Sequence, residues 1–206
     1  MRKAKDLTEI MNIAYRFKAR IEKEAKEKNK PVQLVLHWSA GRYMQYFPDY
    51  HINIDYDGSY YLSTDNFADI LYHNYKKNSG SIGICLCCGY DATSSFIGPN
   101  PPTGEQIEAM ARVIAVLTKA LDIPIDTVHV PSHGQSADNE DFVLDFGDDT
   151  GFRNGTYGPK SNCERWDLEY LGNEESPRFA PYDQEHRGHE IIRRKAKWYR
   201  NRYYGD

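Results

Sequence analysis

Seven histidines occur in the 206 residues, and His37, His129 and His133 fall where stretches with strand character give way to Ser, Pro or Gly. A neutral imidazole at a strand end suits a divalent metal, because the sheet fixes the side chain while the adjoining loop leaves a coordination position open. Taken singly, such a histidine serves a structural hydrogen bond more often than a metal, so the three matter only if other residues join them. Cys85, Cys87 and Cys88 crowd into one apolar stretch. Adjacent strand residues face opposite ways, which keeps these thiols from converging on one ion. They read as small buried hydrophobes, and four cysteines in all make no disulfide framework.

The elements that must position these side chains follow from periodicity. Leu7, Ile10, Ala14, Phe17 and Ile21 mark one face of an amphipathic helix that runs to about Lys28 and stops before Pro31. Residues 32–38 form an apolar, branched run ending at His37 and Trp38, read as a buried strand. Residues 50–55 and 59–62 flank Tyr56-Asp57-Gly58 as a hairpin. Residues 81–88 predict a strand covered on both faces. Thr103 and Gln106 have capping-box spacing and open a helix whose face is Ile107, Met110, Ala111, Ile114, Leu117 and Leu121. Residues 126–130 predict a further strand, carrying His129. Helices alternating with strands, plus one local hairpin, give an α/β fold: a mixed central β-sheet flanked by helices.

Residues 137–161 are acidic and then rich in Gly, as a long surface excursion would be. A polar linker with Pro177 and Pro181 leads to a basic, aromatic-bearing tail helix over residues 184–204, expected to pack Ile191, Ile192 and Trp198 on the domain. The organisation predicted is an N-terminal amphipathic helix over 1–30 packed on the core, a central domain over 31–172, and a linker with a basic C-terminal helix over 173–206.

Composition excludes several classes. With 40% hydrophobic and 27% charged residues the chain can order a core. The 26 basic residues against 30 acidic ones, net −4, argue against a protein that coats nucleic acid. No apolar run is long enough to cross a bilayer. Asp6, Glu9, Arg16 and Lys18 interrupt the start where a signal peptide would be apolar, so synthesis in the cytoplasm without a signal peptide is expected. Oligomeric state has no signature in the chain.

Read in order, His37-Trp38-Ser39-Ala40, Tyr50-His51-Ile52 followed by Asp57-Gly58, His73, the run Asn78-Ser79-Gly80-Ser81-Ile82-Gly83-Ile84, Thr103 with Gln106, His133, and Arg165-Trp166-Asp167 form a set that resembles the zinc-dependent N-acetylmuramoyl-L-alanine amidases. That family includes amidase-type phage lysozymes and peptidoglycan recognition proteins. The resemblance runs from about Val32 to Leu171, and it implies an amidase/peptidoglycan-recognition-protein-like core with extra N- and C-terminal helices.

The resemblance also implies roles. His37, His133 and Asp167 would be the ligands of a Zn²⁺ with one open position. Arg165 reproduces the basic residue that the family places two positions before its last ligand, and Tyr157-Gly158-Pro159 looks like the family version with a long loop ahead of it. His129 competes with His133; His133 is preferred because residues 133–137 match the family's loop motif, while alternation makes His129 an ordinary strand residue. Tyr50 and Arg165 would be catalytic, stabilising the oxyanion and serving the departing amine. Cys85 stands where one branch has a catalytic glutamate, which points to the tyrosine branch. His73 and Asn78 resemble positions lining the substrate groove; His51, by strand alternation, should point to the face opposite Tyr50 and is left out of the site. Bound zinc would make hydroxide available near neutral pH and polarise the scissile carbonyl. The activity implied is hydrolysis of the amide between N-acetylmuramic acid and L-alanine in peptidoglycan or muropeptides; the expected lack of a signal peptide fits a phage or prophage endolysin that reaches the cell wall after release, and a cytoplasmic muropeptide-recycling enzyme would look the same. The alternative is a peptidoglycan-binding module without catalysis. A second rival is a nucleic-acid or partner-binding protein acting through the tail over 184–204; on the amidase reading, deleting that tail is expected to leave hydrolysis largely intact.

Overall fold

The computed structural model describes residues 1–92, 96–136, 152–153, 162–163, 167–177 and 184–205, with 152–153, 162–163 and 184 described as backbone alone. The elements in chain order are β1 (Arg2–Lys3), α1 (Leu7–Glu27), β2 (Gln33–Trp38), β3 (Ile52–Ile54), β4 (Tyr60–Leu62), β5 (Ser81–Leu86), α2 (Gly104–Leu121), α3 (His133–Ser136), β6 (Phe152–Arg153), β7 (Asn162–Cys163) and α4 (Gly188–Tyr204), the last preceded by a 3₁₀ turn at Gln184–His186. Five strands form a mixed sheet in the order β1-β4-β3-β5-β2, while β6 and β7 pair separately. β5 runs parallel to both β2 and β3, and β4 is antiparallel to β3.

Local chemistry accounts for the element ends. The Asp6 carboxylate accepts from Glu9 N at 2.8 Å and starts α1. Thr103 and Gln106 form the reciprocal capping box at the head of α2. The amide of Gln106 also donates to Ile54 O and Cys87 O, so one side chain ties the start of α2 to the ends of β3 and β5. Parallel registry gives the sheet two unlike faces. Leu34, Leu36, Ile52, Ile54, Ile82, Ile84 and Leu86 share one face and join the core built by α1, α2 and the start of α4. The opposite face carries Val35, His37, Asn53, Gly83 and Cys85. The apolar face anchors the sheet and frees the other for chemistry.

Two expectations about elements are corrected. Residues 126–130 are not a strand. Asp126 Oδ1 accepts from Val128 N and His129 N, and its carbonyl accepts from Val130 N, so the segment curls into a turn between Pro124 and Pro131. The segment meets the edge of β2 through backbone bonds from Leu34 N and Leu36 N to His129 O and Pro131 O, a bridge between Leu36 and Ser132, and the Gln33 side-chain amide donating to Val128 O at 2.9 Å. Trp198 does not pack on the domain: it is 58% exposed, and α4 docks through Ile191, Ile192 and Ala196. Most of the expected excursion at 137–161, and residues 178–183 of the expected linker, lie outside the described residues.

Candidate metal centre

His37 sits near the C-terminal end of β2, fully buried on the polar face of the sheet. Open α/β sheets place ligands beyond the carboxyl ends of their strands, and this position follows that rule. His133 opens α3 immediately after Ser132, whose bridge to Leu36 pins this loop beside β2. Ser132 and Gln135 exchange side-chain-to-backbone hydrogen bonds across the first turn, at 3.0 and 3.2 Å, which fixes the backbone around His133. Asp167 begins the described turn that follows β7 and is 6% exposed.

These three side chains meet. His37 Nδ1 lies 3.5 Å from Asp167 Oδ2, and His133 Nδ1 lies 3.4 Å from Asp167 Oδ1. The two imidazole centroids are 4.5 Å apart, and one donor atom from each residue falls within 4.8 Å of the others. Burial pushes the Asp167 carboxyl up, but attraction from His133 and then His37 outweighs it and holds the group below the usual carboxylate range. Asp167 Oδ2 has no hydrogen-bond partner among the described residues. A buried carboxylate whose two oxygens each face an imidazole nitrogen is a donor set that fits a tetrahedral divalent ion with one position open. His129 lies outside this cluster, its Nδ1 2.9 Å from Asp126 Oδ1 in the turn described above.

Of His73 and Asn78, expected at the substrate groove, His73 is buried and Asn78 half-buried. The His73 ring lies across Gly83, where an added Cβ would come within 2.7 Å of His73 Cγ, so only glycine admits it. Its Nδ1 is 3.2 Å from His37 Nε2 and its Nε2 is 3.3 Å from Ser81 Oγ. The Ser81 hydroxyl lies 2.8 Å from Asn78 O and 3.0 Å from Lys77 O, either of which accepts its proton. Burial and then the neighbouring imidazoles push the pKa of His73 well below the usual histidine value. Asn78 accepts from Asn74 N at 2.7 Å and shapes the turn ahead of β5. A histidine backing a ligand has no sequence signal of its own, because only Gly83 in the neighbouring strand makes room for it.

Tyr50 stands half-buried with its ring 5.0 Å from that of His37. β3 begins at Ile52, so alternation does not separate Tyr50 from His51, and the His51 ring is 5.7 Å from His73. His51 is nonetheless occupied: its Nδ1 accepts from Gly83 N and its Nε2 donates to Asp69 O. Burial lowers its pKa to about 4. Between pH 6.5 and 4 the unfolded chain therefore binds the proton and the folded one does not, so stability rises with pH across this window. The expected contribution is about 3 kcal/mol, lost as the pH falls to 4. Chemical denaturation at several pH values checks it, and His51→Gln should flatten the slope. Arg165 lies outside the described residues. Burial pushes the Cys85 thiol well up and Cys87 to about 12, as expected of protonated, inert side chains.

The Amidase_2 family model, described as N-acetylmuramoyl-L-alanine amidase, matches residues 25–142. That span holds His37, Tyr50, His73, Asn78 and His133, whereas Asp167 lies beyond it. A solved structure described as the endolysin N-acetylmuramoyl-L-alanine amidase LysCS from Clostridium intestinale URNW aligns at a TM-score of 0.39 and 16% identity, covering 55% of this chain and 76% of that one. No curated protein matches the chain. With more than half of its length matched by that family model, the chain belongs to the N-acetylmuramoyl-L-alanine amidase family.

Proposed function

We propose that the protein is a zinc-dependent amidase that hydrolyses the bond between the lactyl carbonyl of N-acetylmuramic acid and the amino group of L-alanine. The observation that carries this reading is the buried convergence of His37, His133 and Asp167 at the end of β2. These three residues would hold the zinc, His37 and His133 through Nδ1 and Asp167 through a carboxylate oxygen. Bound there, zinc supplies Lewis acidity that makes water nucleophilic at neutral pH and polarises the scissile carbonyl.

The remaining roles belong to the chain itself. With Nδ1 of His37 turned to the ion, its Nε2–H donates to His73 Nδ1, and His73 Nε2–H in turn donates to Ser81. This relay holds the His37 ring and its tautomer in place, as partners behind ligating histidines commonly do. The Tyr50 phenol donates to the oxyanion that develops as water adds to the carbonyl. Arg165 adds fixed positive charge to the same step and does not shuttle protons. When the C–N bond breaks, the departing nitrogen takes a proton, leaving a lactyl carboxylate on the sugar and a free amino terminus on alanine. In role we propose a phage or prophage endolysin that acts on the wall after release.

Mass spectrometry of digested peptidoglycan tests the bond. Free alanine amino termini should appear with no new reducing sugar ends. New reducing ends without alanine termini would overturn the bond assignment, and wall binding without turnover or zinc would favour a binding module instead.

A further inference from the structure

The C-terminal helix carries two side chains that the family match does not reach and that a solvated basic tail would not bury. Arg193 is 2% exposed and His189 3%. Arg193 Nη1 donates to Val130 O at 3.0 Å and to Gln135 Oε1 at 2.8 Å, two groups that bracket His133. Its Nη2 is 2.9 Å from His189 Nδ1 and 2.7 Å from Glu190 Oε2. Because a guanidinium has donors only, His189 Nδ1 accepts, and His189 Nε2–H donates to Glu169 Oε2 at 3.2 Å. Glu169 is two residues after Asp167, is 4% exposed and also accepts from Arg187. The backbone completes the attachment: Gly188 N donates to Glu169 O and His189 N to Leu168 O, both at 2.9 Å. An added Cβ on Gly188 would come within 2.5 Å of Leu168 O, so this approach requires glycine. One chain of hydrogen bonds thus runs from the segment of Asp167, through His189 and Arg193, to the loop of His133.

Resting on the metal reading above, we propose that Arg193 and His189 are positioning residues of the hydrolytic site, which hold the loop of His133 and the segment of Asp167 at the separation that one zinc ion requires. His37 is fixed by the sheet; the other two ligands stand on loops and need an external brace. The tail is then part of the active architecture, and removing it should impair hydrolysis, contrary to what its basic composition suggests.

The test is the zinc dissociation constant of the full chain, measured by competition with a chromophoric chelator, together with kcat and KM at saturating zinc. Arg193→Met and Arg193→Lys should each weaken zinc binding about tenfold, the lower end for partners behind metal ligands. Lysine fails because it lacks the fork that reaches two acceptors. Excess zinc should restore most of kcat. Gln135→Ala, at an exposed position, should weaken binding in the same direction. Because Gln135 Oε1 also accepts from Ser132 N, His189→Gln, which breaks the link between Glu169 and Arg193 without touching that turn, decides the matter should Arg193→Met not fold: it should weaken zinc binding likewise. Lys195→Ala and Tyr199→Phe loosen α4 from Glu108 on α2 without touching the brace, and should lower the melting temperature while leaving zinc affinity unchanged. Equal zinc affinity in wild type, Arg193→Met and His189→Gln would overturn the inference alone. A wild type that binds no zinc would overturn the metal reading and this inference with it.

Discussion

Asparagine in place of Asp167 is expected to release zinc from the protein and to lower peptidoglycan hydrolysis by on the order of a thousandfold or more, since both nucleophile formation and carbonyl polarisation depend on the ion. The substitution keeps the volume of a side chain that is 6% exposed, so packing of the neighbouring Leu168 and Tyr170 should hold. It removes the negative charge that faces His37 Nδ1 and His133 Nδ1. Metal analysis after dialysis should fall from about one zinc per chain to near none, and turnover measured on the same samples should fall in parallel. Stoichiometric zinc in Asp167→Asn would remove this residue from the ligand set.

Phenylalanine in place of Tyr50 should leave zinc bound and lower kcat by about 100- to 1000-fold, the range for losing one hydrogen-bond donor to an oxyanion. The ring beside His37 is retained, so the packing around the ligand survives and the loss reads on the hydroxyl alone. KM should change little, because the hydroxyl acts on charge that develops only in the transition state. Steady-state kinetics on a soluble muropeptide separate the two constants. An unchanged kcat would take Tyr50 out of the mechanism.

Much of the fold is legible in the chain because local signals agree with tertiary ones. The capping box at Thr103 and Gln106 and the apolar stripes of α1 and α2 mark the long helices, and the apolar runs ending at Trp38 and Leu86 mark the paired parallel strands. The turn at 126–130 is not legible, because a single carboxylate, Asp126, competes with sheet pairing and wins. The orientation of His51 misleads for a related reason: period-two alternation holds only within a strand, and β3 starts one residue later.

The site is legible to a different depth. Nothing in the separation of His37, His133 and Asp167 along the chain announces that they meet; their grouping came from resemblance in motif order. His73 looks like any histidine near a groove until the space above Gly83 is known. Arg193 and His189 are hidden among the arginines and lysines of the tail, where sequence suggests a solvated face and packing instead buries one guanidinium against two carbonyl oxygens.

The central claim is that three distant side chains share one ion, and anomalous diffraction at the zinc edge from crystals of the full chain tests it most directly. A single strong peak within coordination distance of His37 Nδ1, His133 Nδ1 and an Asp167 carboxylate oxygen is the expected result. No peak there in crystals grown with ample zinc, or a peak held by His129 in place of His133, would contradict the account.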